Sequence, residues 1–334
     1  MPSEAYSAAL SLAQLVGRDE TRPCPHGLLV KAPATGRWTL FCALTDLDGT
    51  ANDERAPECG RISTIGAARD TFATLAGVGI VTGVCTARSF GEARQYREAL
   101  GITGPIIAEN GAVLALADGS RRAFGDLPQL ALAIQKIAIA IGRPVLSSLD
   151  REGLEVAWQR ERRGESPVVL GHPDLTSLRR SAERFGSCYL VGLSEPERSL
   201  AIAVAEELGL GVFGDLLHLI PRGVNKGKTL AALAEALRDS VATAETGPVT
   251  VAPIVFGNGK NDLPLFQQAL DAGGAAVLVG DALHASGYHS ELPTKRIPAG
   301  TITVPGVSHG EAIRVSLPRL AEFLARRQGI RFPW

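Results

Sequence analysis

An apolar run that ends in two aspartates constrains the fold of this chain more than any other feature. The run, Trp38 to Leu44, is rich in large and β-favouring side chains, and Gly49 breaks the pattern soon after it. Such a run predicts a strand buried within a sheet. Asp46 and Asp48 follow where that strand ends, and side chains two residues apart in an extended segment point the same way. Both carboxylates are therefore predicted to face one site, at the edge where open α/β sheets bind their ligands.

Two carboxylates placed this close repel each other. A bound cation, or a proton kept by one carboxyl, relieves the repulsion, and both outcomes are useful in catalysis. The pattern Asp-x-Asp-Gly taken alone fits an Asx-rich turn after a core strand equally well. The strand ends further along the chain favour a site over a simple turn.

Later segments repeat the order of strand, polar end and helix. Strands are predicted at 78–85, 105–108 and 249–256, and a polar cluster follows each of them. This alternation predicts an α/β fold with a Rossmann-like doubly wound core, in which right-handed crossovers join parallel strands. The polar residues that this arrangement brings to one edge of the sheet are Asp46, Asp48, Thr86, Arg88, Glu109, Asn110, Asn258, Asn261 and Asp262.

The sequence divides into three predicted parts. Residues 1–37 form an N-terminal extension that begins with an amphipathic helix at Glu4–Val16, and residues 38–112 and 222–334 form the core. Residues 113–221 form an inserted α+β cap domain, because short alternating runs are mixed there with helical ones. A length of 334 residues is ample for about two such domains.

The inserted domain has its own predicted elements and one charged run. Strands are expected at 112–116, 153–159 and 187–191, and helices at 127–141, 174–185 and 196–208. The charged run Arg160–Glu165 is either a solvated face or part of a site for an anionic substrate.

Charge and cysteine content exclude several classes of protein. A net charge of −1 gives no electrostatic footprint for nucleic acid or for an anionic membrane surface. No apolar segment reaches the ~18 residues of a membrane span. The five cysteines are scattered and form no C-x-x-C pair, so they are interpreted as reduced packing residues. These features predict a cytoplasmic protein, and they do not indicate its oligomeric state.

Four short motifs stand at the predicted strand ends in a fixed order. They are Asp46-Leu-Asp-Gly-Thr, Thr86-x-Arg88, Lys226 and Gly257-Asn-Gly-x-Asn-Asp262. In this order they resemble the motifs of the haloacid-dehalogenase superfamily of phosphotransferases, over about residues 39–327. The insertion resembles the large α+β cap of the sugar-phosphate branch of that superfamily. Three further segments resemble the mannosyl-3-phosphoglycerate phosphatases, namely Ile107–Ala112, Gln159-Arg160-Glu161 and Val224–Lys228.

The resemblance implies a Mg²⁺-dependent phosphatase that acts through an aspartyl-phosphate. Asp46 would attack phosphorus, which divides one slow hydrolysis into two easier steps. Asp48 would protonate the leaving oxygen and then activate water, a role that requires it to start protonated. The charge of Asp46 is expected to raise the pKa of Asp48 accordingly, although Mg²⁺ would oppose the rise.

The resemblance also implies roles for the other motif residues. Thr86, Arg88 and Lys226 would hold the phosphoryl oxygens. The Mg²⁺ ligands would be Asp46, the main-chain oxygen of Asp48, and side chains of the last motif. The residues of the last motif expected to bind the ion are Asn258 and Asp262, and those expected to support or contact the substrate are Glu109, Asn110, Asn261, Arg160 and Glu161.

Three features depart from the family pattern. In the insertion, the Ser-Glu-Pro that usually follows Arg-Glu appears only as Glu165-Ser166-Pro167 after two extra residues. Asn258 stands where most relatives carry aspartate, which removes one negative charge from the expected metal site, and Asp262 is the expected compensation. Arg88 stands where mannosyl-3-phosphoglycerate phosphatases tend to have lysine. The first expectation is hydrolysis of mannosyl-3-phosphoglycerate to mannosylglycerate and phosphate. The alternatives are a phosphatase for another sugar phosphate, such as a glucosyl-3-phosphoglycerate or a hexose phosphate, a phosphomutase, and a non-catalytic relative.

Overall fold

The computed structural model describes residues 21–163, 184–213, 217–280, 297–307 and 309–330. The helix predicted at Glu4–Val16 lies outside these residues, as does the part of the next predicted helix at 174–183. Among the described residues, no helix is both long enough and apolar enough to cross a membrane.

The described strands form two sheets. In chain order they are β1 (Thr21–Cys24), β2 (Gly27–Lys31), β3 (Trp38–Thr45), β4 (Val81–Cys85), β5 (Ile106–Ala108), β6 (Val113–Ala115), β7 (Arg121–Ala123), β8 (Leu146–Ser147), β9 (Cys188–Val191), β10 (Leu210–Phe213), β11 (Leu217–Pro221), β12 (Val249–Gly257), β13 (Ala275–Val279) and β14 (Ile302–Val304). The larger sheet has the order β14-β13-β12-β3-β4-β5-β6-β7, with the β1–β2 hairpin attached to β3. The smaller sheet has the order β10-β11-β9-β8.

Helices cover both faces of the larger sheet. The described α-helices are α1 (Glu58–Arg61), α2 (Gly66–Gly77), α3 (Phe90–Ala99), α4 (Leu127–Ile141), α5 (Arg151–Arg162), α6 (Glu195–Glu207), α7 (Lys226–Val241), α8 (Leu263–Asp271) and α9 (His309–Gln328). The apolar sides of α2, α3 and α9 pack on one face, and those of α7 and α8 pack on the other. The strands from β14 to β5 are parallel. The predicted doubly wound α/β core is therefore confirmed.

The central strand β3 shows why the sequence reads as a continuous apolar run. Side chains alternate across a strand, so Phe41 and Ala43 enter the core on one face while Leu40, Cys42 and Leu44 enter the core on the other. A parallel strand covered on both faces needs apolar residues at every position. The neighbouring β4 begins later than predicted, because Val78 ends α2 and Gly79 makes a left-handed turn (φ 85°) before the strand starts.

Two segments join the larger sheet from regions that the sequence placed elsewhere. The hairpin β1–β2 lies in the predicted N-terminal extension, and β2 pairs antiparallel with Trp38–Leu40 of β3. The strands β6 and β7 lie in the predicted insertion, and they continue the sheet antiparallel beyond β5. Chain that follows a short turn pairs with its neighbour more readily than it starts a new layer.

The insertion builds its own antiparallel sheet with helices packed on it. Its core contains side chains of α4, α6 and the strands, among them Leu130, Ile137, Ala205, Leu190 and Leu219. The predicted helices at 127–141 and 196–208 agree with α4 and α6 within one residue.

The strand predicted at 153–159 is wrong, since this segment lies within α5. The spacing of the apolar residues in this segment is compatible with either a strand or a helix. The Asp150 side chain accepts a hydrogen bond from the main-chain N–H of Gly153 at 2.9 Å, as a helix N-cap does. That local cap favours the helix.

Candidate active site

A buried lysine joins two carboxylates at the carboxyl ends of β3 and β12. Lys226 is 1% exposed, and its Nζ donates to Asp46 Oδ1 at 2.9 Å and to Asp262 Oδ1 at 2.6 Å. The lysine is the first residue of α7, where the Asn225 side chain caps the helix by accepting from the main chain of Lys228. The helices α7 and α8 pack closely at Gly227. A Cβ at this position would lie only 2.2 Å from the main-chain oxygen of Pro264 in α8, so a larger residue would push the two helices apart.

The charges of this cluster do not balance. Burial raises the pKa of Asp46 to about 7, and it outweighs the opposing effect of the Lys226 ammonium. Burial lowers the pKa of Lys226, but the carboxylates of Asp262 and Asp46 outweigh it, so the pKa of the lysine is raised. One cation therefore serves two carboxylates, and a further positive charge beside Asp46 would stabilise its ionised form.

Asp262 uses both carboxylate oxygens within the protein. Oδ1 accepts from Lys226, and Oδ2 accepts from the main-chain N–H groups of Asn258 and Gly259 at 3.0 and 2.9 Å. The residue is fully buried. Asp262 was expected to bind the metal, and in the structure both of its oxygens already accept hydrogen bonds from the protein. Its contacts are those of an anchor for Lys226 and for the loop after β12.

Arg88 forms a bidentate salt bridge with Asp48. Its Nε and Nη2 atoms donate to Asp48 Oδ2 and Oδ1, each at 2.8 Å, while its Nη1 donates to Glu92 at 3.0 Å. The guanidinium also lies 5.0 Å from the ring centre of Tyr96. Burial favours the neutral acid, but the hydrogen bonds and charge of Arg88, with the charge of Arg61, hold the pKa of Asp48 below its ordinary value. The expected rise in the pKa of Asp48 is thus wrong in direction, because Arg88 lies closer to this carboxylate than the sequence could show.

We expect Arg88→Lys to raise the pKa of Asp48, because a single ammonium replaces a guanidinium fork that contacts both oxygens. A lowered carboxyl pKa stabilises the fold above its unfolded value of about 3.9 and loses that effect as the pH falls through the folded pKa. The wild type should therefore exceed the variant in unfolding free energy near pH 7, and the difference should shrink towards pH 3. Urea unfolding across this pH range measures it, with Arg94→Lys on the exposed side of α3 as the control. A difference that is constant with pH would assign the loss to packing on Tyr96 instead.

Asn258 lies beside the Asp46–Gly49 turn, as the sequence predicted. Its Oδ1 accepts from Thr50 Oγ1 at 3.2 Å. A Cβ on Gly49, which has φ 73°, would lie 2.0 Å from Asn258 Nδ2 and 2.8 Å from Glu54 Oε2. Only glycine therefore fits at position 49. Glu54 is a carboxylate near the site that the sequence reading missed, because nothing in the loop at 51–60 distinguishes it from a solvated residue.

The remaining core residues of the prediction form a contact with the insertion. The Glu109 carboxylate accepts from the main-chain N–H groups of Phe185 and Gly186 at 2.9 and 3.1 Å, and from Ser187 Oγ at 2.9 Å. Asn110 Oδ1 accepts from Asn261 Nδ2 at 2.9 Å. Glu109 and Asn110 both have left-handed backbone conformations, with φ of 55° and 56°. Such strain is costly and persists only where the surroundings enforce it.

Thr86 lies with the cluster, whereas the charged run of the insertion does not. Thr86 is buried at the end of β4, and its Oγ1 accepts from the main-chain N–H of Arg88 at 3.2 Å. Arg160 is exposed on α5 and has no hydrogen bond to the site within the described residues. The side chain of Glu161 lies outside what the structure describes.

The chain is similar to known proteins in sequence motif and in fold. Residues 43–123 match the family model of the haloacid dehalogenase-like hydrolases. A haloacid dehalogenase-like hydrolase from Bacteroides thetaiotaomicron superposes with a TM-score of 0.54 at 18% identity, covering 84% of this chain and 99% of its own. A Thermotoga maritima protein gives a TM-score of 0.53 at 19% identity, covering 84% of this chain and 97% of its own.

A third solved structure comes from the phosphatases of the haloalkanoate (HAD) enzyme superfamily in Bacteroides thetaiotaomicron. It gives a TM-score of 0.52 at 16% identity and covers 86% of this chain and 96% of its own. No protein of curated function matches the sequence. The chain thus has the fold of these hydrolases.

Proposed function

We propose that this chain is a Mg²⁺-dependent phosphomonoesterase that acts through an aspartyl-phosphate on Asp46. The observation that carries the proposal is the position of Asp46, which is 6% exposed at the end of the central strand with Oδ1 bound to Lys226. Its Oδ2 has no hydrogen-bond donor among the described residues, so this oxygen is available to attack phosphorus. The match of residues 43–123 to the haloacid dehalogenase-like hydrolases supports the same chemistry.

The reaction proceeds in two displacements. An oxygen of Asp46 attacks phosphorus, the bond from phosphorus to the ester oxygen breaks, and the leaving oxygen takes a proton from Asp48. Water then attacks the phosphorus of the aspartyl-phosphate and gives its proton to Asp48, and the bond to Asp46 breaks to release phosphate. Lys226 holds its positive charge beside the nucleophile throughout.

The first proton transfer sets a condition on Asp48. In the structure Arg88 keeps this carboxylate ionised. Asp48 therefore has to leave the Arg88 fork and take up a proton when the substrate binds. The Nε and Nη2 atoms of Arg88 then turn towards the phosphoryl group, as expected for a phosphate-binding residue.

The residues around Asp46 fit Mg²⁺. The ion prefers oxygen ligands and commonly uses one or two carboxylates, with waters and substrate phosphate completing the octahedron. The residues that would hold it are Asp46, Asp48, through its main-chain oxygen, and Asn258. When bound, the ion supplies positive charge to the phosphoryl oxygens. The unbalanced charge of the cluster and the raised pKa of Asp46 are what a cation would relieve.

Mannosyl-3-phosphoglycerate is the substrate that we propose first, on the resemblance of Ile107–Ala112 and Val224–Lys228 to phosphatases for it. Phosphate release should be measured with this compound, its glucosyl counterpart and a set of hexose phosphates. The mannosyl compound is expected to give the highest kcat/KM. A preference for a hexose phosphate would replace the substrate. Accumulation of a hexose bisphosphate would identify a mutase, and no release from any compound would contradict the proposed activity.

The Mg²⁺ requirement depends on Asn258. We expect Asn258→Asp to lower the Mg²⁺ concentration that gives half-maximal rate, since a full negative charge replaces a neutral amide at an expected ligand position. A tenfold shift requires only about 1.4 kcal/mol. Titration of Mg²⁺ against phosphate release measures the shift in wild type and variant.

The same Mg²⁺ titration of Asp262→Asn tests whether Asp262 binds the metal or only holds Lys226 and the loop after β12 in place. Because both oxygens of Asp262 are engaged by Lys226 and the loop, this change should reduce kcat and stability more than it alters the Mg²⁺ midpoint. A large shift in the midpoint for Asp262→Asn with none for Asn258→Asp would reverse the two roles.

A further inference from the structure

Three side chains of the insertion meet the core beside the proposed phosphoryl site. Arg184, Tyr189 and His218, here called the insertion cluster, lie against one another. The guanidinium of Arg184 is 4.1 Å from the ring centre of Tyr189, and the rings of Tyr189 and His218 are 4.3 Å apart. None of the three was singled out by the sequence, because they come from separate segments of the insertion.

The cluster lies against the loop that follows β4. Arg184 Nη2 and the Tyr189 hydroxyl both point at the main-chain oxygen of Ala87, at 3.3 and 3.5 Å. Ala87 stands between Thr86 and Arg88, the two residues expected to hold phosphoryl oxygens. The leaving group of a phosphate ester bound there would extend from the phosphorus towards the insertion.

Arg184 is a buried cation with weak partners. It is 4% exposed, and its Nη1 donates to Ser187 Oγ at 3.0 Å and lies 3.3 Å from His218 Nε2. Its Nε has no hydrogen-bond partner among the described residues. A buried N–H without an acceptor is costly, and contacts of 3.3 Å are longer than the usual 2.9–3.0 Å. No carboxylate accepts directly from this guanidinium within the described residues, since Glu109 is reached only through the Ser187 hydroxyl.

The other two members of the cluster add no charge of their own. His218 is buried, and burial together with the positive charge of Arg184 lowers its pKa well below the ordinary value, so the ring is neutral. Its Nδ1 lies 2.9 Å from Asn110 Nδ2, which leaves Nε2 facing Arg184. Tyr189 is a neutral phenol. Arg184 therefore carries the single formal charge of these three side chains, and it lies against the loop that holds Thr86 and Arg88.

We infer that Arg184 is a specificity-determining residue that binds a carboxylate on the leaving group of the substrate. The inference rests on the proposed phosphatase function and specifies the chemistry of its substrate. The carboxylate takes the unpartnered Nε–H and displaces the long contacts of Arg184, and the Tyr189 ring packs on the carbon chain that carries it. A carboxylate fits better than a second phosphate, because a phosphate carries more negative charge than the single positive charge of Arg184 can balance. The Glu109 carboxylate already lies near Arg184, linked to it through the Ser187 hydroxyl.

The test compares two substrates that differ in one group. 3-Phosphoglycerate carries the carboxylate, and glycerol 3-phosphate carries a hydroxymethyl group in its place. In wild type, kcat/KM should favour 3-phosphoglycerate. Arg184→Gln should lower the ratio of the two kcat/KM values by about 10- to 100-fold, the usual effect of one charged hydrogen bond. Arg184→Lys should keep part of the ratio, since the charge remains without the fork.

Controls separate recognition from a structural role. Arg198→Gln removes the same charge from α6, where Arg198 is half-buried beside Glu195, and should leave the ratio unchanged. Circular dichroism checks that each variant folds. Equal losses for both substrates in Arg184→Gln would mean that Arg184 only joins the insertion to the core, and would overturn the inference. A wild type with no preference for the carboxylate would overturn it as well.

Direct binding keeps this inference separate from the proposed reaction. Calorimetric titration of the wild type with each compound needs no turnover. Tighter binding of 3-phosphoglycerate, lost in Arg184→Gln, would support the carboxylate site even if neither compound were hydrolysed. Phosphate release from both compounds without any difference in binding would support the reaction and reject the site.

Discussion

Asp46→Asn is expected to abolish phosphate release, lowering kcat by about 10⁴-fold or more, because removal of a nucleophile costs most of the catalysis that depends on it. An amide has the same shape as the carboxyl and can still accept a hydrogen bond from Lys226, but it does not attack phosphorus. The fold should survive, since burial already disfavours the charge that the substitution removes. Phosphate release and the midpoint of thermal unfolding at pH 8 test the two statements.

Intact-mass measurement supplies the positive evidence for Asp46. Wild type quenched in acid during turnover should carry one added phosphoryl group on the peptide that contains Asp46, and Asp46→Asn should carry none. A folded Asp46→Asn protein that keeps substantial activity would remove Asp46 from the role of nucleophile. A phosphoryl group found on another residue would do the same.

Lys226→Met is expected to have the second largest effect, and it should reduce stability and activity together. The change leaves Asp46 and Asp262 buried without their cation, and breaking such a buried pair costs about 3–5 kcal/mol. The loss of a fixed positive charge beside the phosphoryl group should lower kcat by about 100-fold or more. Urea unfolding and phosphate release at saturating substrate measure the two losses.

Lys228→Met is the matched control, since Lys228 lies two residues along the same helix and is exposed. It should change the free energy of unfolding by less than about 0.5 kcal/mol. The pH dependence of the Lys226→Met defect provides a further check. The loss should be smaller at pH 5 than at pH 8, because Asp46 with a pKa near 7 is largely neutral at the lower pH and its burial without a cation then costs less. A loss of stability that grows on acidification would contradict the charge-pairing explanation.

Much of the core could be predicted because its signals are local. The strand β3 and the strand β12 were expected within one residue of their observed ends, since both are apolar over most of their length. The convergence of Asp46, Asp48 and Thr86 followed from the rule that parallel strands end at one edge, whereas the place of Lys226 followed only from the family resemblance. The capping box of Ser89 and Glu92 at the start of α3 is equally local and could have been read from the sequence.

What could not be predicted depends on side chains brought together from distant segments. The two-pronged contact between Arg88 and Asp48 spans forty positions, and it reverses the pKa shift expected from Asp46 alone. Asp262 was expected to bind metal because it is a carboxylate in the last motif. Its oxygens also accept hydrogen bonds from Lys226 and two main-chain N–H groups, and these contacts were not predicted. The insertion cluster gives no sequence signal at all, because Tyr, His and Arg at those positions are compatible with ordinary packing.

The hairpin β1–β2 has a consequence for how the molecule avoids joining its neighbours. The strand β4 pairs with β3 only along Cys42–Thr45, so the first part of β3 on that side, Trp38–Leu40, pairs with β2 instead. Without the hairpin, the first part of β3, which carries apolar side chains, would present unpaired main-chain N–H and C=O groups to solvent. Such an edge is a template for strand addition from another chain. The hairpin thus keeps the strand that carries Asp46 from seeding intermolecular sheets, and a shortened chain that begins at Trp38 would be prone to aggregate.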